Sequence, residues 1–464
     1  MDLPAFRTHG HQVVDWIADY LATIESRRPM PDVRPGDVRR QLPSSAPEAP
    51  EPFEQIAADF ERIIVPGLTH WQHPGWFAYF ASNSDPSSVL AEFLMAGLSA
   101  NCMSWATAPA GTELEQVTLE WLRQLLGFPD GFHGVIQDTA SAATLVATIA
   151  GRDAAWERAG RDATLTFYAS AEAHSSVGKA ARLAGFRPEL VRLIPADDDY
   201  AMRVDLLAEA LRADRAAGLT PAVVVATVGT TSSTGIDPVR LIGELCRESG
   251  AFLHVDAAWA GSAAICPEFR GMLDGLELAD SVVTNPHKWL GVQFDCSAHY
   301  VRDPAALQRA FAVSPEYLKS AHDAEVVNYR DWGIPLGRRF RALKLWFVLR
   351  SEGAEALRAM IREHIRLGEL FASWVDAEPA WERLAPAPLA LVCFRHRPAE
   401  MVDGPVLDAH NQALLERVNA SGRVHLVHTT LRGRYTIRLA IGQRNTTERH
   451  VREAWEILQA AAHR

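Results

Sequence analysis

Short apolar runs alternate with segments of helical spacing between about residue 85 and residue 300, and this alternation constrains the fold more than any other feature of the chain. Helical patterns cover residues 142–159, 175–184, 204–217 and 239–249. The apolar runs are candidate strands at 134–137, 164–169, 190–194, 222–228, 252–255, 281–284 and 298–301. Apolar strands separated by helices are typical of a mostly parallel sheet covered on both faces. We therefore predict an α/β fold with a mostly parallel seven-stranded sheet.

The N-terminal segment has a different pattern. Apolar side chains at helical spacing predict an amphipathic helix over residues 6–25 and a second helix over residues 53–64. Seven prolines lie from Pro29 to Pro52. Because each proline fixes φ and lacks an N–H, we expect an extended strap there without regular helix. With so little core of its own, the segment 1–84 is expected to be a helical arm that packs on another surface.

The C-terminal part predicts a smaller α+β unit. A helix over residues 336–351 is expected to precede a second helix over residues 354–376. Further elements are expected as strands near 389–394, 424–430 and 435–440 and a closing helix over 447–462. We place the large α/β domain at residues 85–345 and the C-terminal α+β domain at residues 346–464.

Length and composition limit the class of protein. The chain has 464 residues, which suits two or three packed units. Its net charge of −11 argues against nucleic acid as the main partner. The sequence has no run near the roughly 18 apolar residues of a membrane span, and its N-terminus lacks the basic-then-apolar pattern of a secretion signal. Five scattered cysteines without a CxxC pair are typical of reduced thiols, so we expect a cytoplasmic protein.

Two polar residues stand at the predicted carboxyl ends of buried strands. Lys288 follows the apolar run 281–284, and Asp256 ends the run that begins at residue 252. In parallel sheets ligands bind beyond these strand ends. Pyridoxal phosphate chemistry needs a lysine that holds the aldehyde as a Schiff base and an aspartate that keeps the pyridine nitrogen protonated. The alternative, a surface lysine and a helix-capping aspartate, is disfavoured by the residues described next.

A phosphate-binding segment is predicted at residues 137–146. Small residues there follow a strand end and open an apolar-periodic helix, so backbone N–H groups and the hydroxyls of Thr139 and Ser141 can bind an anion. This signal is weak by itself, because any Ser/Thr helix cap looks similar. The sequence has neither GxGxxG nor GxxxxGK[ST], and the glycine-containing segment 229–235 lacks the lysine. Nicotinamide and P-loop nucleotide sites therefore lose support.

Three histidines are candidate site residues. His174 follows a predicted strand and precedes a helix, where a lone histidine is usually a loop residue or a cap. In a pyridoxal phosphate site, however, an imidazole can stack on the pyridine face and also contact the reacting carboxylate. His70 and His73 could suggest a metal pair, but ligation needs a third ligand at suitable spacing and the sequence offers none. We expect no metal site.

Together these residues resemble the group II pyridoxal-phosphate-dependent decarboxylases, in particular the aromatic L-amino acid decarboxylases, over nearly the whole chain. The matching segments are residues 73–74, 77–80, 104–106, 112–115, 134–137, 139–141, 173–177, 229–231, 254–258, 261–270, 285–290, 294–298, 317–319 and 334–340. So many ordered matches are specific. The resemblance implies the type I fold of pyridoxal phosphate enzymes, the cofactor pyridoxal 5'-phosphate, and an obligate homodimer with the arm on the partner and the active sites at the subunit interface.

The resemblance also implies residue roles. Lys288 would be the Schiff-base lysine, Asp256 the partner of the pyridine nitrogen, and His174 the ring that stacks on the cofactor. Tyr317 would donate the proton after carbon dioxide leaves. The other cofactor-binding residues would be Ala140, Ser141, Thr231, Asn285 and His287, the last beside the phosphate.

The expected substrate-binding positions are Tyr79, Phe80, Ser82, Asn101, Met103, His174 and Gly337. Some of them depart from the family. Ala81 and Ser82, followed by Asn83, replace the Pro-Thr of mammalian members, and Asn101 and Met103 stand where the pocket wall is usually apolar or aromatic. Gly337 is small, and in plant relatives a small residue there accompanies bulkier indole substrates. An aromatic L-amino acid is the expected substrate, with tryptophan, tyrosine, dihydroxyphenylalanine and phenylalanine all open.

Three alternatives stay open. An aromatic aldehyde synthase couples decarboxylation to oxidative deamination, but such relatives usually replace the loop tyrosine by phenylalanine or the stacking histidine by asparagine. A decarboxylase of another acid, such as glutamate, is the second alternative. The third is a protein that carries the cofactor without catalysis, in which Lys288, Asp256, His174 and Tyr317 would have no reason to coexist.

Overall fold

The centre of the molecule is a seven-stranded sheet. The computed structural model describes residues 1–313, 322–323 and 325–463. The strands are β1 (His133–Gln137), β2 (Leu165–Ser170), β3 (Val191–Ile194), β4 (Thr220–Thr227), β5 (Phe252–Asp256), β6 (Ser281–Thr284) and β7 (Ser297–Val301). Their order is β1-β7-β6-β5-β4-β2-β3. β7 runs antiparallel to both of its neighbours, and the other pairs are parallel. The predicted α/β class and mostly parallel sheet are confirmed.

Helices cover both faces of this sheet. They are α4 (Pro86–Leu98), α5 (Pro109–Leu126), α6 (Ala140–Ala159), α7 (Ser175–Leu183), α8 (Val204–Ala216), α9 (Val239–Ser249), α10 (Pro286–Trp289) and α11 (Pro304–Phe311). Side chains alternate between the faces of β4. Val223 and Val225 pack with residues of α6 and α7, whereas Val224 and Ala226 pack with residues of α8 and α9. Both faces of the strand are therefore buried, which explains its continuous apolar run.

The N-terminal segment contains α1 (Leu3–Ala22), α2 (Asp37–Gln41) and α3 (Phe53–Asp59), which continues as a π-helical turn over Phe60–Ile64. The two predicted helices are present. The prediction of a strap without helix was wrong at α2. Its short turn lies between Pro35 and Pro43, in the longest proline-free interval of the strap, and begins after Gly36 at φ 93°.

The C-terminal part begins with α12 (Ala342–Ala377), a long helix interrupted at Gly353, where φ is 73°. The predicted break between two helices therefore lies where the structure has it, but the predicted start at residue 336 was wrong. The buried Arg338 side chain pairs with Glu115 and fixes this segment outside the helix, which begins only at Ala342.

A four-stranded antiparallel sheet completes this part, in the order β10-β11-β9-β8. Its elements are β8 (Trp381–Arg383), β9 (Leu391–His396), α13 (Pro405–Ala420), β10 (Val427–Leu431), β11 (Arg434–Ala440) and α14 (Glu448–Ala462). The sequence prediction missed β8 and α13. The Gly404-Pro405 start and the buried Leu407, Leu414 and Val418 are signals that could have identified α13.

Two further properties concern the molecule as a whole. Across the described ranges, no helix has both the length and the apolar character needed to span a membrane. All five cysteines are buried and unpaired.

Candidate active site

The carboxyl ends of the central strands surround a pocket of about 240 Å³. Thr227 ends β4, Asp256 ends β5 and Asn285 directly follows β6. These strands are parallel neighbours, so their carboxyl ends meet at one edge of the sheet. The pocket is lined by Phe80, Thr139, Ala140, Ser141, His174, Ser176, Thr227, Gly229, Thr231, Asp256, Ala258, Trp259, Asn285, His287 and Lys288. Every residue that the sequence assigned to the cofactor lies in this lining.

Lys288 occupies the four-residue helix α10, just beyond β6. Its Nζ lies 5.5 Å from the centre of the Phe80 ring. Burial lowers the pKa of this amine below its usual value, and the Asp256 carboxylate opposes that shift. A lowered pKa increases the neutral fraction of the amine, and the neutral amine is the form that attacks an aldehyde.

Asp256 faces the pocket from the end of β5 and is 5% exposed. Its Oδ1 accepts the backbone N–H of Ala258 over 3.1 Å, which fixes the orientation of the carboxylate. Thr227 pairs with Asp256 in the strand register, and its buried Oγ1 has no hydrogen-bond partner among the described residues. A carboxylate and an unpaired hydroxyl in one buried wall suit a ligand that brings a polar, cationic atom.

His174 is the N-cap of α7. Its Nδ1 accepts the backbone N–H of Ser176 over 3.3 Å and lies 2.7 Å from the Ser176 hydroxyl. Because Nδ1 is an acceptor, the ring proton of the neutral form is on Nε2. Burial lowers the pKa of His174; Asp256 opposes the shift and Lys288 adds to it. The ring is therefore neutral near pH 7 and can donate one hydrogen bond.

His287 and Asn285 are fixed by the start of β7, the strand that runs antiparallel to β6, and by the residue just before it. The Nδ1 of His287 accepts the backbone N–H of Cys296 over 3.0 Å, and the Oδ1 of Asn285 accepts the Ser297 hydroxyl over 2.6 Å. Burial lowers the pKa of His287 to about 3, so this ring is also a neutral Nε2–H donor. Two neutral polar side chains are thus held in place at the pocket wall.

The start of α6 supplies backbone donors to the pocket. Thr139 is the N-cap of this 20-residue helix, and Thr139, Ala140 and Ser141 all line the pocket. The first N–H groups of a helix have no partner within the helix, and the helix dipole favours an anion there. With Thr231 and Gly229 on the facing loop, this end of the pocket suits a phosphate.

An aromatic stack forms one wall of the pocket, and the sequence reasoning missed most of it. The Phe80 and Trp259 rings lie 4.2 Å apart at 12°, and Trp259 and Trp289 lie 4.4 Å apart at 10°. Ser176, Thr227 and Trp259 were also absent from the predicted site. Thr227 and Trp259 stand at or just after strand ends, so the rule that placed Asp256 could have found them.

Of the residues predicted to contact substrate, Phe80 and His174 line the pocket. The structure of this single chain does not bring Tyr79, Ser82, Asn101, Met103 or Gly337 into the lining. Asn101 lies beside Gly337, and its Oδ1 accepts the backbone N–H of Arg338 over 3.0 Å. Tyr79 has φ 55°, and its half-exposed ring stacks on Trp71. Tyr317 lies outside the described residues.

The residues present fit pyridoxal phosphate. The pocket combines a lysine of lowered pKa, a buried carboxylate, a neutral stacking ring and the N-terminus of a long helix. These groups match, in that order, the aldehyde, the pyridine nitrogen, the ring face and the phosphate of that cofactor. Lys288 is the only lysine among the lining residues that the structure describes.

A family model and similar proteins of known name both match this chain. The model of the pyridoxal-dependent decarboxylase conserved domain matches residues 35–397. Phenylacetaldehyde synthase of Arabidopsis thaliana is 45% identical over 474 residues, which cover 100% of this chain and 96% of the relative. Aromatic-L-amino-acid decarboxylase of Cavia porcellus is 45% identical over 482 residues, which cover 100% of this chain and 98% of the relative.

A solved structure agrees closely in fold. The crystal structure of Oryza sativa TDC with PLP and tryptamine matches with a TM-score of 0.98 and 38% identity. The match covers 100% of this chain and 98% of that chain.

Proposed function

The chain belongs to the pyridoxal-dependent decarboxylase family, and we propose that it converts an aromatic L-amino acid to the arylalkylamine and carbon dioxide. The observation that carries the proposal is the convergence of Lys288, Asp256 and His174 on one pocket at the carboxyl ends of the sheet. Each residue has an environment that suits its role in this chemistry.

Pyridoxal phosphate, when bound, supplies a ring that accepts the electrons of the bond broken at the substrate Cα. Lys288 would hold the cofactor aldehyde covalently through its Nζ. Asp256 keeps a proton on the pyridine nitrogen through a charge-assisted hydrogen bond. His174 offers a neutral ring face to the cofactor and an Nε2–H to the substrate carboxylate.

The start of α6 and the polar groups beside it would hold the phosphate. Ala140 and Ser141 offer backbone N–H groups, and His287 offers a neutral donor. Phe80 and Trp259 exclude water beside Lys288. A poorly solvated carboxylate, oriented by His174, loses carbon dioxide more readily than a hydrated one.

The aromatic substrate class is supported by the relatives and by the pocket. The Cavia porcellus relative acts on aromatic L-amino acids by its name, and the rice structure contains tryptamine. Stacked Phe80 and Trp259 give the described pocket an aromatic wall. Among the lining residues that the structure describes, Lys288 is the only lysine or arginine, so a second carboxylate such as that of glutamate finds no free cation there.

A second candidate is aromatic aldehyde synthesis, in which decarboxylation is coupled to oxidative deamination. The observation that favours it is the 45% identity to phenylacetaldehyde synthase. His174 is present in the pocket and Tyr317 in the sequence, and both residues favour the amine as product. The amine therefore stays the main proposal.

We also propose a homodimer in which the arm covers the partner. Helix α1 has no buried residue, and Leu3 and Phe6 are 81% and 64% exposed. The helix α4 likewise exposes Leu90, Leu94 and Leu98. Exposed leucines four residues apart lie on one face of a helix, and a row of exposed apolar side chains is typical of an interface. In such a dimer, Asn101, Met103 and Gly337 would complete the partner's pocket.

The experiment is a substrate panel with the cofactor-loaded protein. Tryptophan, tyrosine, dihydroxyphenylalanine, phenylalanine and glutamate are incubated separately, and carbon dioxide, amine, aldehyde, ammonia and peroxide are measured. We expect at least one aromatic acid to give amine and carbon dioxide in equal amounts, and the Lys288→Ala variant to give neither. Equal amounts of aldehyde, ammonia and peroxide would establish the second candidate, and carbon dioxide from glutamate alone would refute the aromatic class.

A further inference from the structure

Asn83 is a buried side chain that connects Lys288 to the C-terminal part of the chain. The residue is 1% exposed and lies at the end of the segment 1–84, just before α4. Its Nδ2 donates to the backbone carbonyl of Lys288 over 2.6 Å and to that of Gly442 over 2.7 Å. Its Oδ1 accepts the backbone N–H of Arg444 over 2.8 Å. Both amide hydrogens and the amide oxygen are thus used by main-chain groups from two distant segments.

The carbonyl of Lys288 needs such a partner. It belongs to the last turn of α10, and the final carbonyls of a helix have no partner within the helix. A helix of four residues has few internal hydrogen bonds to fix its position. The backbone N–H of Asn83 also donates to the carbonyl of His287 over 3.3 Å. Asn83 therefore contacts two consecutive carbonyls of the segment that carries the lysine.

We propose that Asn83 is a positioning residue for Lys288: it holds the lysine backbone at a fixed place against Gly442 and Arg444, and so sets where Nζ reaches the cofactor aldehyde. This inference rests on the proposed covalent role of Lys288. The positioning role requires two N–H donors and one acceptor on a single planar group. Among the twenty side chains, asparagine and glutamine offer this combination. Aspartate has the same shape but no donors, and it would face two carbonyl oxygens.

A matched control lies elsewhere in the C-terminal part. Asn411 is fully buried, and its Nδ2 donates to the carbonyls of His396 and Leu407 over 2.8 and 3.0 Å. Its Oδ1 accepts the backbone N–H of His396 over 2.8 Å. The bonding pattern equals that of Asn83, but none of these partners lines the pocket. Loss of Asn411 thus measures what the same bonds contribute to stability alone.

The test compares Asn83→Asp with Asn411→Asp. Each cofactor-free protein is mixed with pyridoxal phosphate, and the rate of covalent capture at Lys288 is followed by absorbance and by borohydride trapping with peptide mass analysis. Unfolding by denaturant and steady-state kinetics are measured in parallel. We expect both variants to lose stability, but only Asn83→Asp to slow capture, by at least about tenfold, as expected for a buried hydrogen-bond donor set that is lost. It should also lower kcat with KM little changed.

The outcomes separate this inference from the proposed function. If the unaltered protein captures no pyridoxal phosphate at Lys288, the proposed function fails. If it captures the cofactor but Asn83→Asp does so at the same rate, or Asn411→Asp is slowed equally, the positioning role is overturned. Should Asn83→Asp not fold, Asn83→Ser decides, because a hydroxyl can keep one of the bonds. A slower capture by Asn83→Ser than by the unaltered protein supports the role, and an unchanged rate overturns it.

Discussion

The indole Nε1–H of Trp289, the residue that follows Lys288, donates a hydrogen bond to Nδ1 of His364 over 2.9 Å. His364 lies on α12, is 1% exposed, and its ring is parallel to the indole within 6°. Burial lowers the pKa of His364 to about 4, so the imidazole is neutral near pH 7 and Nδ1 is free to accept. The stack of rings that begins at Phe80 in the pocket wall thereby ends at His364 on α12.

Replacing His364 by phenylalanine should therefore destabilise the protein. A ring is kept but the acceptor is lost, and an indole N–H is left buried without a partner, which costs about 1–3 kcal/mol. Denaturant unfolding measures the loss. The double variant with Trp289→Phe removes the stranded donor as well, so it should be more stable than the sum of the two single losses predicts. Strictly additive losses would show that the bond contributes nothing.

His299 on β7 should be a position where a polar residue costs stability. Both ring nitrogens are buried without a partner among the described residues, and burial lowers the pKa to about 3. His299→Leu is expected to raise the free energy of unfolding by about 1–3 kcal/mol. His254 is the control, since its nitrogens lie 2.8 and 3.3 Å from the hydroxyls of Ser281 and Thr144. His254→Leu should destabilise.

The gain at His299 should depend on pH with a definite sign. The folded pKa of about 3 lies below the usual histidine pKa of 6.5, so between these values the unfolded state binds more protons. The histidine therefore lowers stability as the pH falls below about 6.5, and leucine does not. Unfolding at about pH 8 and about pH 5 should show the larger gain at the lower pH. A gain that is equal at both, or a loss of stability from His299→Leu, would contradict this account.

Ser176→Ala should impair catalysis more than folding. Ser176 holds Nδ1 of His174, and without its hydroxyl the ring loses one of the contacts that fix its orientation. We expect kcat to fall by roughly tenfold with the free energy of unfolding almost unchanged. Ser175→Ala, on the same helix but outside the lining, serves as the control. Equal kinetics for the two variants would exclude this role of Ser176.

Asp256→Asn should reduce turnover by several orders of magnitude, because a neutral amide cannot hold a proton on the pyridine nitrogen. The pKa of Lys288 should fall further in this variant, since the Asp256 carboxylate raises it. Initial rates and the pH dependence of cofactor capture check both effects. Asp280→Asn is the control: this carboxylate accepts the N–H of Leu253 at the opposite end of β5, and its replacement should leave turnover within about threefold. A loss of less than tenfold at Asp256 would contradict its role.

The sheet and the residues at the carboxyl ends of its strands could be predicted because both depend on local sequence. A strand such as β6 is buried on both faces, so its apolar run marks it, and the residues after it fall at a sheet edge by topology alone. Asn83 and His364 carried no comparable signal. They reach Lys288 and Trp289 only through contacts more than 70 residues apart in sequence.

The substrate side could be predicted only by resemblance. Asn101 and Gly337 lie together in the structure but outside the pocket of the single chain. If two chains build the substrate side, as we propose, the periodicity of one chain does not encode it. The residue roles, the proton donor Tyr317, the domain boundaries, the homodimer and the cytoplasmic location stay predictions.

The most direct test of the account is to find which lysine binds the cofactor. The chain has four lysines, at residues 179, 288, 319 and 344. The protein is loaded with pyridoxal phosphate, reduced with borohydride and digested, and the mass of each lysine-containing peptide is measured by mass spectrometry. We predict the added mass on Lys288 alone, and no added mass on any lysine of Lys288→Ala under the same conditions. The added mass on another lysine, with Lys288 unmodified, would contradict the central claim that this pocket is the active site.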